Sequence, residues 1–243
     1  MLRPVWYLIN VFVLTVWYGT KVMVAAMLKV PNRSGGLYDQ AARRWARKQL
    51  KAAGVPVTVV GGENLPRGQP VVYVSNHQSW FDILALAANL PGTVRFVSKK
   101  ELARVPFLGP AMRQAGHIFI DRQNLQQALG AYQGVSGVIR GGMSAILFAE
   151  GTRSRTGRLQ PFKKGPFVLA IAAQVPVVPV YCGGTFGILP KGSIWVRRRP
   201  VTLVIGEPIP TEGLDYEARG ELLTKTRDAM LRLRSQAGEG NAE

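Results

Sequence analysis

Apolar and polar residues alternate on two length scales along this chain. From Pro4 to Thr20, PVWYLINVFVLTVWYGT holds no charged residue; Lys21 interrupts, and VMVAAML carries the run on to Leu28. Seventeen helical residues cover about 25 Å, short of a bilayer's hydrocarbon core of roughly 30 Å. The full stretch to Leu28 reaches across if Lys21 snorkels or lies in a bend. Trp6, Tyr7, Trp17 and Tyr18 suit a headgroup boundary. With only Arg3 before it and so long an apolar run, the segment fits a cleaved signal poorly. A buried core helix is the remaining soluble alternative. The expectation is a membrane anchor that either spans the bilayer or dips into one leaflet. YDQAARRWARKQLKAAG, from Tyr38, then reads as a basic helix, equally able to lie on anionic lipid or to be an ordinary solvated helix.

After Gly54 the scale shortens. Val- and Ile-rich runs at 57–60, 71–75, 94–98, 117–120, 145–148, 177–181, 193–196 and 201–205 are bounded by Gly, Pro or charge and predict strands. Helices are predicted over 80–89, 124–140, 165–174 and 215–235. Strands alternating with helices specify an α/β fold: a single domain, 54–236, on a central, mostly buried mixed sheet flanked by helices. A helical membrane-anchoring segment, 1–53, precedes it, and 237–243 is expected to fray. In such folds sites gather at strand ends, which directs attention to the residues after 71–75, 94–98 and 145–148.

Composition changes this picture in one respect. The apolar fraction of 47% is ordinary, but the net charge is +17. Residues 1–206 hold 26 lysines and arginines against 6 acids, so the body is more basic than the total. That implies an anionic partner: nucleic acid, an anionic membrane surface or a phosphate-bearing substrate. Cys182 is the single cysteine, which excludes an intrachain disulfide and a Cys-rich metal site. Nucleic acid is disfavoured, since neither a recognition helix nor basic strands with interleaved aromatics occur.

The candidate chemistry starts with SNHQSWFD, 75–82. In one continuous helix His77 and Asp82 would be rotated by about 140° and share no face. If His77 lies in a loop and the helix begins near Trp80, Asp82 sits in the first turn and can reach back. Ser79 and Asp82 also match a capping box with no chemistry, and the two readings are compatible. A His–Asp pair acts as base and orienter when the nucleophile is the substrate's own hydroxyl. Ser75 and Ser79 are alternative nucleophiles, but neither lies in a recognisable elbow, and Cys182 has no His or acid near it in sequence.

A second constellation, FAEGTRSRTGRLQPFKKG at 148–165, follows a predicted strand. Gly151 permits close backbone approach, Thr152 and Ser154 offer hydroxyls, and Arg153 offers a planar fork, amid Arg155, Arg158, Lys163 and Lys164. The set reads as a phosphate cradle without P-loop spacing, or as a plain basic loop. Glu150 would repel a phosphate, so its expected role is to meet a substrate hydroxyl or to position Arg153. Lys99 and Lys100 follow the strand at 94–98 and can add cations to the same mouth. Arg122 is a further candidate, with pairing to Asp121 favouring a structural role. His117 opens an apolar run and reads as a core or edge histidine.

Taken in order, NHQSWFD, KKELARVPFLG, GHIFIDR, FAEGTRS with FKKG, and VPVVPV resemble the successive motifs of the phospholipid and glycerol acyltransferase family, most of all its bacterial lysophosphatidic acid acyltransferases. The likeness covers about Val55 to Pro210, and the apolar start is similar to the family's anchoring helices. It implies transfer of a fatty acyl group from acyl-CoA or acyl carrier protein to the sn-2 hydroxyl of a lysophosphatidate, a lysophospholipid acceptor, giving phosphatidic acid. Glycerol 3-phosphate or a lyso-aminolipid stands as the alternative acceptor. His77 then matches the catalytic base and Asp82 its orienter. Glu150, Gly151, Thr152 and Arg153 match the glycerol-phosphate motif, and Lys99 or its neighbour Lys100 the upstream basic residue. Pro176 matches a position on the acyl-donor side. Ala149 stands where the family commonly has proline, which implies a looser loop. The resemblance implies no metal and no bound cofactor. It also implies a bacterial inner membrane as the location; if the first segment spans, the excess of positive charge after it holds the catalytic domain, within residues 29–243, on the cytoplasmic side.

Overall fold

The structure is a computed structural model that describes residues 2–66, 68–121 and 135–240. Two helices come first, α1 (Leu2–Met27) and α2 (Leu37–Ala53). They pack antiparallel: Tyr7 shares a core cluster with Ala46 and Leu50, and Tyr18 and Val22 share one with Tyr38 and Ala41. α2 stops at Gly54, whose φ of +66° suits glycine and lets its N–H cap the carbonyls of Leu50 and Lys51. Only one stripe of α1 is buried; Trp6, Phe12 and Trp17 are 52%, 66% and 67% exposed on the other side.

The sheet strands are β1 (Val57–Val60), β2 (Val72–Ser75), β3 (Val94–Lys99), β4 (Ile118–Ile120), β5 (Ser144–Phe148), β6 (Val177–Gly183) and β7 (Val201–Ile205). They lie in the order β1-β7-β6-β2-β5-β3-β4, with every neighbouring pair parallel except β6 and β7. The remaining helices are α3 (Trp80–Asn89), α4 (Leu108–Gln114), α5 (Gly165–Ala173) and α6 (Arg219–Gln236). This is the expected α/β domain on a mixed sheet.

The period-2 alternation of each strand divides the molecule into two cores. Val72, Val74 and Leu147 face one way and pack with Leu169 of α5 and Met230 of α6. Val71, Tyr73 and Ile146 face the other way and pack with Leu86 of α3. Beyond α3 on that second face come α2 and then α1. A buried ion pair, Arg95–Asp39 at 2.6 Å, ties the start of α2 to β3; Thr93 donates to Asp39, and Arg95 donates to Asn32. Two of the basic residues of α2 are likewise structural. Arg43 donates to the carbonyls of Leu90 and Gly92, and Arg47 to that of Ala88, at the C-terminal end of α3.

Four expectations need correction or restriction. The run at 193–196 is no strand: Ile194 and Trp195 are exposed in a loop, because β7 already has β1 and β6 as neighbours. The helix expected from 215 begins at Arg219, after a short 3-10 turn (Tyr216–Ala218) capped by Asp215. Of the helix expected at 124–140, residues 135–140 are helical and the earlier part lies outside the described residues. The tail expected to fray from 237 is held at Glu239, which accepts hydrogen bonds from the Tyr181 hydroxyl and the Gly184 N–H, each at 2.6 Å.

Candidate active site

β2 is the central strand, and its C-terminal end delivers Asn76, His77 and Gln78 to one edge of the sheet. Ser79 then caps α3, its hydroxyl oxygen accepting from the Phe81 N–H. Asp82 is the third residue of that helix. Its Oδ2 accepts from the N–H groups of Gln78 (2.6 Å) and Ser79 (2.8 Å) and meets His77 Nδ1 at 2.8 Å. The capping box and the His–Asp pair are therefore one arrangement: the helix start fixes the carboxylate, and the carboxylate fixes the ring. The ring also stacks on Phe148, with centroids 3.8 Å apart and planes 13° from parallel.

The loop after β5 grips the same histidine by its backbone. Glu150 Oε1 accepts from the His77 N–H at 2.7 Å, and the His77 carbonyl accepts from the Ser154 N–H at 2.8 Å. Glu150 Oε2 accepts from the Gln160 N–H at 3.0 Å, so both oxygens are spent on backbone amides. Glu150 is buried, and burial raises its pKa to about 7 against the lowering effect of those hydrogen bonds. It is a clamp between two loops, correcting the expectation that it meets a substrate hydroxyl or positions Arg153. Ala149 likewise tightens the loop instead of loosening it. Its N–H donates to the Ser75 carbonyl at 3.1 Å, a bond that proline cannot make.

His77 opens onto a cavity of about 430 Å³. Its mouth carries Lys99, Thr152, Arg153 and Lys191; its walls are apolar residues of α1, α2, α3 and α4 such as Val22, Ala41, Leu108 and Ala115. Gly151, also at the mouth, has a φ of +73° that favours glycine. Lys191 donates to the Thr152 hydroxyl at 3.0 Å. His117 also lines the cavity, and its Nδ1 accepts from the Phe96 N–H. Burial, then the nearby Arg95 charge, push its pKa down to about 3, so it is a neutral core histidine.

Sequence comparison agrees with this geometry. The sequence profile of the family described as Acyltransferase matches residues 56–183, more than half of the chain. The chain belongs to the acyltransferase family. A relative from Saccharomyces cerevisiae named 1-acyl-sn-glycerol-3-phosphate acyltransferase is 38% identical over 182 residues, 73% of this chain and 59% of that protein. The human 1-acyl-sn-glycerol-3-phosphate acyltransferase alpha is 35% identical over 179 residues, 73% of this chain and 63% of the human protein. The chain thus spans about three-fifths of the length of these relatives. The crystal structure of the 1-acyl-sn-glycerophosphate (LPA) acyltransferase PlsC from Thermotoga maritima superimposes with a TM-score of 0.84. It is 26% identical and covers 100% of this chain and 97% of that one.

Within this family member the expected residues divide. His77, Lys99, Gly151, Thr152 and Arg153 meet at the cavity, with Asp82 behind the histidine. Lys100 does not join them; its ammonium pairs with Asp121, and of the two lysines Lys99 alone lines the cavity. Arg122 lies outside the described residues. Pro176 is also absent from the site. It precedes β6, and its carbonyl accepts from the Val72 N–H at the opposite end of the strands from His77. Ser79 donates its hydroxyl to the Leu189 carbonyl, and Ser75 is buried against Asn76 and Cys182. Ser154, expected to offer a hydroxyl, donates it to the Arg158 carbonyl. Lys191 and Phe148 are the residues that sequence reading missed. Lys191 lies far along the chain in an unremarkable Pro-Lys-Gly turn, and Phe148 reads as one more strand hydrophobe.

Proposed function

We propose that the protein moves a fatty acyl group from an acyl thioester to the sn-2 hydroxyl of lysophosphatidate, giving phosphatidate. The observation that carries this reading is the His77–Asp82 pair at the mouth of an apolar cavity rimmed by Lys99, Arg153 and Lys191. With Nδ1–H donated to Asp82, the basic nitrogen is Nε2. It takes the proton from the acceptor hydroxyl as the oxygen attacks the thioester carbon. The tetrahedral intermediate collapses, the C–S bond breaks, and the imidazolium returns its proton to the departing thiolate. The cations hold the acceptor's phosphate, and the apolar cavity receives an acyl chain.

The enzyme supplies no nucleophile of its own in this scheme. Ser75 and Ser79 donate their hydroxyls to the carbonyls of Asn76 and Leu189. Cys182 is buried, and burial holds its thiol well above the ordinary range. The donor is acyl-CoA or acyl carrier protein, and neither metal nor bound cofactor takes part.

Membrane association belongs to the same reading. Val5–Met27 is long and apolar enough to cross a bilayer. Yet α1 is packed on the domain from Tyr7, stacked on Phe81, to Ala25, clustered with Ala115. A helix bound along its length cannot stand away from the domain, so it lies in one leaflet with its exposed stripe in lipid. The cytoplasmic face of a bacterial inner membrane is the location proposed with it; the charge rule for spanning helices does not act on a helix held in one leaflet.

The test is a panel: purified protein with lysophosphatidate, glycerol 3-phosphate and a lyso-aminolipid, each with acyl-CoA and acyl carrier protein. Phosphatidate formation from lysophosphatidate is expected with at least one donor. Transfer only to another acceptor overturns the substrate assignment, and transfer to none overturns the activity.

A further inference from the structure

The loop between β6 and β7 looks like a strand in sequence and like neither a core nor a solvated turn in the structure. Ile194 and Trp195 are 62% and 52% exposed. Lys191 precedes them, and Arg197, Arg198 and Arg199 follow, all three exposed. Among the described residues no carboxylate forms an ion pair with any of these arginines. The loop's inward side chains show where it sits. Ile188, Leu189 and Val196 pack in the cluster that holds Tyr7 and Val11 of α1 and Phe81 of α3. It therefore shares a core cluster with the N-terminal half of α1, where Val5, Trp6, Leu8, Ile9, Phe12 and Val13 are each more than half exposed. Two segments some 180 positions apart in sequence join one core cluster and each carry exposed apolar residues, with the cations on the loop. Lys191, from the same loop, reaches the rim of the cavity.

We propose that residues 190–200 form a second membrane contact. Ile194 and Trp195 enter the headgroup region of an anionic bilayer, while Arg197, Arg198 and Arg199 bind lipid phosphates. The inference rests on the reading of α1 as lipid-facing and extends it from a helix to a surface that ends at the cavity mouth. Lipid is the occupant that fits. A tryptophan beside arginines is the composition of a bilayer interface, and unpaired cations on a strongly basic protein complement anionic headgroups. Held this way, the mouth abuts the bilayer from which an amphiphilic acceptor enters.

An environment-sensitive fluorophore tests this directly, because Cys182 is buried and a cysteine introduced by Ile194→Cys takes the label alone. Glu212→Cys is the control. It is exposed next to Thr211, whose hydroxyl binds the Val175 carbonyl before β6, at the far end of the strands from His77. With vesicles of phosphatidylcholine and about 30 mol% phosphatidylglycerol, the 194 label should shift to the blue and brighten about threefold or more, and the 212 label should not change. Co-sedimentation with an aqueous 194 label overturns the inference and leaves α1 as the sole contact. Failure to co-sediment overturns the lipid-facing reading of α1 as well. A 194 shift that grows with protein concentration without vesicles assigns the surface to a second copy and overturns the lipid proposal. Replacing Arg197, Arg198 and Arg199 together by glutamine should lower partition onto the anionic vesicles about tenfold or more and onto neutral vesicles by no more than about twofold. Equal losses on both refute the phosphate-binding role.

Discussion

The two faces of the sheet are built from the same strands and do different work. On the face of α5 and α6, Val72, Val74 and Leu147 meet Leu169, Ala170 and Met230 in a closed core. On the other face, α3 covers Val71 and Tyr73, but α1, α2 and α4 stack outside it and leave a cavity of about 430 Å³ that ends at His77. One face is filled to stabilise the strands; the other is left short of side chains so that a ligand can complete it. The residues proposed for catalysis sit on the seam between them, where loops after β2, β3 and β5 leave the sheet.

The contrast can be broken at the seam first. His77→Ala should lower kcat by about 10³-fold or more with the fold intact, and a wild-type rate in single-turnover assays would remove the histidine from the mechanism. On the filled face, Leu169→Ala should cost about 2–5 kcal/mol in denaturant unfolding and leave donor chain-length preference unaltered. A shift in that preference would mean the two faces are not separate. At the rim, Arg153→Ala should raise the acceptor KM about 10–100-fold with a smaller effect on kcat, since it grips a phosphate away from the reacting oxygen. An unchanged KM discards the anchor.

Subtler effects sharpen the comparison. Glu150 titrates near 7 in the fold against about 4.5 when unfolded, so the native state binds the extra proton between those values. Stability should therefore fall as pH rises from about 4.5 to about 7 and level off above, by at most about 3 kcal/mol from this group. Urea titrations across that range, with Glu150→Gln flattening the slope, measure it. A slope of the opposite sign in that comparison contradicts the clamp's burial. The smallest effect concerns Ala115, on the cavity wall. Ala115→Leu should move donor preference toward shorter chains a few-fold at little cost in stability, because it fills space that no side chain occupies. A preference that does not move would place the acyl chain elsewhere.

How much was legible follows from the reach of each signal. Strand runs such as 57–60 and 145–148 became strands because alternation and β-branched composition are local properties. The run at 193–196 shows the same composition and failed, since a strand also needs a free neighbour. Asp82 was legible as a cap and as a partner of His77, and the structure has both contacts because a single carboxylate oxygen serves each. Glu150 was misread because its partners, the amides of His77 and Gln160, are backbone groups with no sequence signature. Lys99 and Lys100 were indistinguishable in sequence; one ends β3 facing the mouth, and the next turns to Asp121.

The sequence by itself determined the α/β alternation, the apolar start, the excess of positive charge and the residue types of the site, all of which are written in neighbouring positions. Only the tertiary structure decided which of those residues meet. It brought Lys191 to Thr152, sent Pro176 to the far end of the strands and joined Val196 to the core cluster that holds Tyr7 of α1. Such pairings depend on strand order and on which way each side chain leaves the sheet. Those are set by the packing of the whole chain, and no local pattern encodes them.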